Sequence, residues 1–242
     1  MFLHCLSRAS FTYLDLFKTP EMRRISFLII LLWMIISCVF DTTVRLITNL
    51  KFEFYYSFMI AASMELPADL FSIVGLTWFG RRWSASLSLL LCGLTMICCA
   101  LVKGPIFVIS IQFYRFVLSE RRLLQITVFL LGRFFATYAI NVGFQFTAEV
   151  MPTCLRAQGI ALVNVMSMVA LVTSPYIVYS VRIAMHGDFT KLTSFQSVLS
   201  EEAPFLITSI LCVLGSVPGL ILPETAELKM PDTLDDVKVL GR

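Results

Sequence analysis

The sequence predicts an all-α membrane protein with six membrane-spanning helices, on three observations. Of its 242 residues, 58% are apolar and 14% charged, with a mean hydropathy of +0.84, outside the range of soluble domains. Six apolar runs follow one another, each near the roughly 20 residues a helix needs to cross a hydrocarbon core. Inside the fourth run Arg133, Thr137, Asn141, Gln145 and Glu149 stand at every fourth position. That is helical spacing, and it draws a polar ridge that drifts slowly round the axis. Such a ridge is costly against lipid, so it should face a bundle interior or a watery cavity.

Residues 1–24 read as a cytoplasmic segment rather than a cleaved leader. Arg8 and Asp15 interrupt any apolar core, and Arg23 and Arg24 make a basic flank before the first span. That span runs from Ile25 to about Thr48. Asp41 and Arg45, one turn apart near its far end, can pair either as snorkelling interfacial residues or with a part in transport.

The second span, Phe54 to Phe79, carries Glu65, Pro67 and Asp69 near its middle. A proline there kinks a helix and frees carbonyls, and intramembrane carboxylates are functional-site candidates. Gly80-Arg-Arg82 forms a tight basic turn into the third span, Trp83 to Val102. The fourth, Leu123 to Thr147, bears the ridge and leaves the bilayer at Met151-Pro152. The fifth, Ala157 to Val181, should break at Ser174-Pro175. The sixth, Phe205 to Leu222, is framed by Pro204 and Pro223. Residues 25–222 thus form the bundle and 223–242 a polar cytoplasmic tail.

Between the third and fourth spans, the apolar stretch Phe107 to Leu118 is too short to cross and is interrupted by Gln112 and Arg115, so an interfacial helix is expected. Six spans place both ends on one side, taken as cytoplasmic. Ten of the 19 Lys and Arg fall there and eight on the other side, a weak inward bias.

The same residues exclude several classes. A net charge of +3, scattered along the chain, offers no nucleic-acid footprint. Seven cysteines lie mostly within apolar runs with no metal-ligand spacing. The His-Glu-x-x-His, Gly-x-Ser-x-Gly and Gly-x-x-x-x-Gly-Lys motifs are absent, so no catalytic residue, metal ligand or cofactor is predicted, and the chain does not read as an enzyme. A polar ridge on a spanning helix points instead to passage of a solute.

Several short motifs occur in one order: Glu65-Leu-Pro-Ala68, Gly80-Arg-Arg82, Gly132-Arg-Phe134, Ala148-Glu-Val-Met-Pro-Thr153 with Arg156 and Gly159, and Leu222-Pro-Glu-Thr225 followed by Pro231-Asp-Thr-Leu234. Together they resemble the organic cation/anion/carnitine transporter family of the major facilitator superfamily. Leu16-Phe-Lys-Thr-Pro20 with Arg23 and Arg24 is similar to that family's central cytoplasmic loop. The likeness covers about residues 16–236 and is to the second six-helix half of a twelve-helix fold.

It implies a fold equivalent to the C-terminal half of a major facilitator and a secondary or facilitative carrier of small organic ions, multi-pass in the plasma membrane. A half alone cannot enclose a substrate, so it also implies a fragment, a truncated version, or pairing with a second six-helix half or chain. A non-transporting paralogue or membrane interaction protein, and a sugar porter-like half, are the alternatives.

The resemblance further implies substrate-facing roles for Trp33, Phe40 (where a tyrosine is common), Glu65, Arg133 and Asn141, with Gln145 on the same ridge. Met168 stands where relatives carry the acid or base that goes with their preferred ion. A cytoplasmic gating cluster is implied for Arg81, Arg82, Glu149, Arg156 and Glu224. Thr77-Trp78-Phe79 departs from the Asp-Arg pair that relatives carry before Gly80, which weakens the latch at that end.

Overall fold

Thr19 and Pro20 start the first helix. Thr19 is extended (φ −99°, ψ 145°), its carbonyl accepts the Arg23 amide at 2.9 Å, and Pro20 sits at the first position, where a missing N–H costs nothing. The computed structural model describes residues 16–17, 19–47, 54–103, 116–153, 155–178 and 193–222. Its principal helices are α1 (Pro20–Leu46), α2 (Phe54–Ser63), α3 (Glu65–Trp78), α4 (Arg81–Lys103), α5 (Phe116–Val150), α6 (Arg156–Leu171) and α7 (Thr193–Ile221). Six stretches are long and apolar enough to cross a bilayer: Met22–Leu46, Phe58–Trp78, Arg81–Val102, Leu123–Val150, Arg156–Val178 and Ala203–Ile221. The protein is an all-α, multi-pass membrane protein.

The breaks have local causes. Pro67 has no N–H for the Ser63 carbonyl and its ring crowds that carbonyl, so span two divides at Met64 into α2 and α3. The Ala68 amide reaches the Met64 carbonyl only at 3.4 Å, while the Ser63 hydroxyl donates to the Ile60 carbonyl at 2.7 Å. Span five breaks where Ser174-Pro175 predicted, after α6, and resumes as a helical turn over 174–178. That break is tied to α1. Buried Thr42 and Ser174 share a hydrogen bond at 3.2 Å, and the Cys38 thiol lies 3.6 Å from the Thr173 hydroxyl.

Two expectations need correction. Helix α7 begins at Thr193 and runs through Pro204, which therefore does not start the sixth helix, although the apolar part of the span does begin at Ala203. A proline costs a helix one hydrogen bond, and packing of the following segment, with Phe205 wholly buried, outweighs it. Helix α5 is 35 residues, about 52 Å at 1.5 Å per residue, longer than a hydrocarbon core. Phe116–Leu118 therefore continues into the fourth span rather than ending a separate interfacial helix. The remainder of that predicted helix, through residue 115, lies outside the described residues.

The bundle is built on α1, α4, α5 and α7. Helix α4 packs along α7 and α5, α1 along α6, α7 and α5, and α3 along α5. Small residues line the α4–α7 seam, with Gly93 against Cys212 and Ser209 and Gly219 against Ser86, so the backbones approach closely. Phe129 and Phe205 meet edge to face at 6.4 Å within the core. Spans two and five form the periphery. Only 28% and 22% of their apolar windows are buried, against 56% for spans one and three.

Gly80 joins α3 to α4 with φ 75°, the left-handed region that glycine enters without strain. Gly80→Ala is expected to lower stability by about 1 kcal/mol, read as a lower midpoint of thermal unfolding in detergent; an unchanged midpoint would show that the turn relaxes.

Candidate functional site

Arg133 is the centre of the polar groups. It projects from α5 into the bundle, where its guanidinium lies 4.1 Å from the centroid of the Phe40 ring. Nη1 donates to the Phe40 carbonyl at 3.2 Å and to the Thr43 hydroxyl at 3.1 Å, and Nη2 pairs with a carboxylate oxygen of Glu65. One planar fork thereby ties α5 to the C-terminal part of α1 and to the α2–α3 break. The two charges are unequally placed: the Arg133 side chain is 4% exposed, that of Glu65 40%. The acid sits on the open side and the base behind it.

Further along α5 the Asn141 amide donates to an oxygen of Asp69 on α3 at 2.6 Å, and Asp69 is exposed. Gln145, another turn on, is exposed as well. At the end carrying Gly80, Arg81 and Glu149 form an ion pair, with Nε 2.9 Å from Oε2, and Arg81 Nη1 also reaches the Leu76 carbonyl at 3.4 Å. Three polar links therefore join span two and its turn to span four: Glu65–Arg133, Asp69–Asn141 and Arg81–Glu149.

The ridge does not face one surface. Each step of four residues turns a helix by about 40°, so the direction has swung by about 160° from Arg133 to Glu149. Arg133 and Thr137 point into the bundle, where the Thr137 hydroxyl donates to the Arg133 carbonyl at 3.1 Å. Asn141 meets α3, Gln145 is on the open face, and Glu149 turns to Arg81.

Other predicted site residues are dispersed. Trp33 is buried, its ring laid on the α5 backbone at Gly143 and meeting Phe144 edge to face at 4.5 Å; among the described residues its indole nitrogen finds no hydrogen-bond partner. The aromatic left exposed there is Phe144. Phe40 is half-buried beneath Arg133. Met168 lies on α6, 62% exposed, on the helix that packs along α1. Arg82 and Arg156 are half-buried at the starts of α4 and α6, and Glu224 lies outside the described residues. Among the described residues, no three His, Cys, Asp or Glu side chains come together as metal ligands.

Thr43 was not anticipated as a partner of Arg133. Its place one turn from Phe40 on an apolar helix looks ordinary until α5 is docked. Asp69 stands out in the sequence by its position near Pro67, but its pairing with Asn141 appears only in three dimensions.

Glu149→Gln is expected to cost about 1 kcal/mol, the pair being partly exposed. The loss should appear as a lower midpoint of thermal unfolding in detergent, and an unchanged midpoint would show that the pair does not hold the two helices together.

No protein-family model matches the chain. Curated relatives do. Solute carrier family 22 member 21 of Mus musculus is 25% identical over 224 residues, 93% of this chain and 34% of its own length. Organic cation/carnitine transporter 2 of Mus musculus is 26% identical over 223 residues, 92% of this chain and 34% of the relative. Organic anion transporter 3 of Homo sapiens is 25% identical over 236 residues, 96% of this chain and 37% of the relative. The chain thus spans about a third of the length of the curated relatives it matches. Over nearly its whole length the chain is therefore similar to organic cation, anion and carnitine transporters of solute carrier family 22.

Proposed function

We propose that the chain is the C-terminal six-span half of an organic-ion carrier of the plasma membrane. Residues 25–222 would form the carrier half, 1–24 its cytoplasmic lead-in and 223–242 its tail. The observation that carries the reading is the polar seam between spans two and four, where Glu65, Asp69, Asn141 and Gln145 lie toward the open side in an otherwise apolar bundle. Hydrophilic groups at that depth are costly against acyl chains and economical along a solute route.

Geometry supports a carrier over a channel. Span two is broken beside Glu65 and is linked to the middle of α5 through Glu65–Arg133, while the turn that follows it is linked to the end of α5 through Arg81–Glu149. Opening and closing these links alternately is how one half can rock against another around a midplane site. No covalent step is involved. Binding is by charge and aromatic contact, and the solute is a small organic ion, as in the names of the relatives.

The second half is part of the proposal, since spans two and five leave most of their apolar windows uncovered. Uptake of labelled organic ions into vesicles should be absent with this chain alone and present when six further spans are joined ahead of it. Uptake by neither protein would overturn the reading in favour of a fold kept without carriage.

A further inference from the structure

Resting on that carrier reading, we propose that Asp69, oriented by Asn141, is the recognition carboxylate for an organic cation, so that this half is built for cations rather than anions. The names of the relatives include both kinds of carrier, and Met168 brings no charge to the position where sign was expected to be set.

Charge accounting on the seam decides the sign. Asp41 is neutralised by Arg45, with Nε 2.7 Å from Oδ2. Glu65 is neutralised by Arg133, and Glu149 by Arg81. Asp69 receives the Asn141 amide on one oxygen, and among the described residues no basic side chain is paired with it. A neutral amide orients a carboxylate without cancelling its charge. Among the described residues the seam therefore keeps one carboxylate, Asp69, without a basic partner.

Depth makes that charge consequential. In the span Phe58–Trp78, Asp69 stands eleven residues from one end and nine from the other, about 16 and 14 Å along the axis. A carboxylate exposed there cannot rest against lipid without a cost of several kcal/mol. The Asn141 hydrogen bond fixes its direction, and the second oxygen is left for a ligand. Phe144, one turn beyond Asn141 on α5, is exposed, with its ring edge to face against Trp33 of α1. A carboxylate at that depth of an apolar bundle attracts a substituted ammonium and repels a carboxylate ligand. Arg133 does not offset this preference, because its charge is buried behind Glu65 and already engaged.

The test is equilibrium binding of radiolabelled tetraethylammonium and of benzoate to the full chain in lipid nanodiscs. The unaltered chain is expected to bind tetraethylammonium and not benzoate. Asp69→Asn should weaken tetraethylammonium binding by about tenfold or more, and Asp69→Glu should retain it within a few-fold while both variants elute as the parent does. Equal affinity of the parent and D69N for tetraethylammonium overturns the assignment, as would be found if the carboxylate carried only a proton. Binding of benzoate in preference to tetraethylammonium overturns it too, while leaving the carrier reading intact. Binding of neither ion by the parent overturns the assignment as well, while the carrier reading is decided separately by uptake with six further spans joined ahead of the chain.

Discussion

Glu65→Gln is expected to destabilise the bundle by about 3 to 5 kcal/mol, and by more than Arg133→Met does. The order follows from where each charge sits. Removing the Glu65 carboxylate leaves a guanidinium with a 4% exposed side chain, held by a backbone carbonyl, a hydroxyl and an aromatic face. Arginine does not shed its charge, so the whole cost of an uncompensated buried cation falls on the folded state. Removing Arg133 leaves Glu65 with 40% of its side chain exposed on the open side, where water can reach it.

The Arg133→Met variant should therefore lose only about 1 to 2 kcal/mol, chiefly from the Phe40 carbonyl and Thr43 hydroxyl contacts. The double variant Glu65→Gln with Arg133→Met should recover most of the loss of the first. Thermal unfolding midpoints in detergent for the three variants check the ranking. Equal losses for the two single variants would show that the arginine is not the more desolvated partner.

Trp33→Ala is expected to cost about 3 to 5 kcal/mol. The indole of Trp33 fills the crossing of α1 and α5, and only because residue 143 is glycine. A Cβ there would lie 2.5 Å from Cζ3 and 2.9 Å from Cε3 of the ring, with Ile36 Cδ1 at 3.3 Å. Truncation leaves a cavity between two helices whose backbones cannot close fully on it, and cavity volume adds to the transfer cost. The same measurement weighs the resemblance-based role of Trp33 against its packing. A side chain that served mainly as a substrate wall would lose ligand affinity on truncation with stability changed by less than about 0.5 kcal/mol.

Much of the architecture could be read from one dimension. The apolar runs fell on the six crossing helices because a hydrocarbon core imposes a length on any segment that spans it, and backbone satisfaction in lipid leaves only the helix for such runs. Pro67 and Ser174-Pro175 announced breaks at Met64 and after α6, since a missing N–H acts locally. Pro204 shows the limit of that reasoning, because tertiary packing carried α7 through it.

The candidate site was legible as a set of residues and not as a geometry. Arg133, Glu65, Asn141, Arg81 and Glu149 stand out as polar groups in apolar or membrane-flanking segments. Sequence separation says nothing about which of them meet, and the partners pair across 68 and 72 positions. Burial was equally hidden: Trp33 and Phe144 are both aromatics on apolar helices, yet one is covered and the other exposed.

By itself the sequence determined the class of solvent, the number of crossings and the helices that carry charge, because these follow from hydropathy, length and period along the chain. Only the tertiary structure decided that Arg133 is covered while Glu65 faces outward, and that among the described residues Asp69 has an amide partner and no basic one. Pairing and desolvation depend on the rotation and docking of α3, α5 and α1 about one another, and a 40° drift per four residues turns a single polar ridge toward three different surroundings.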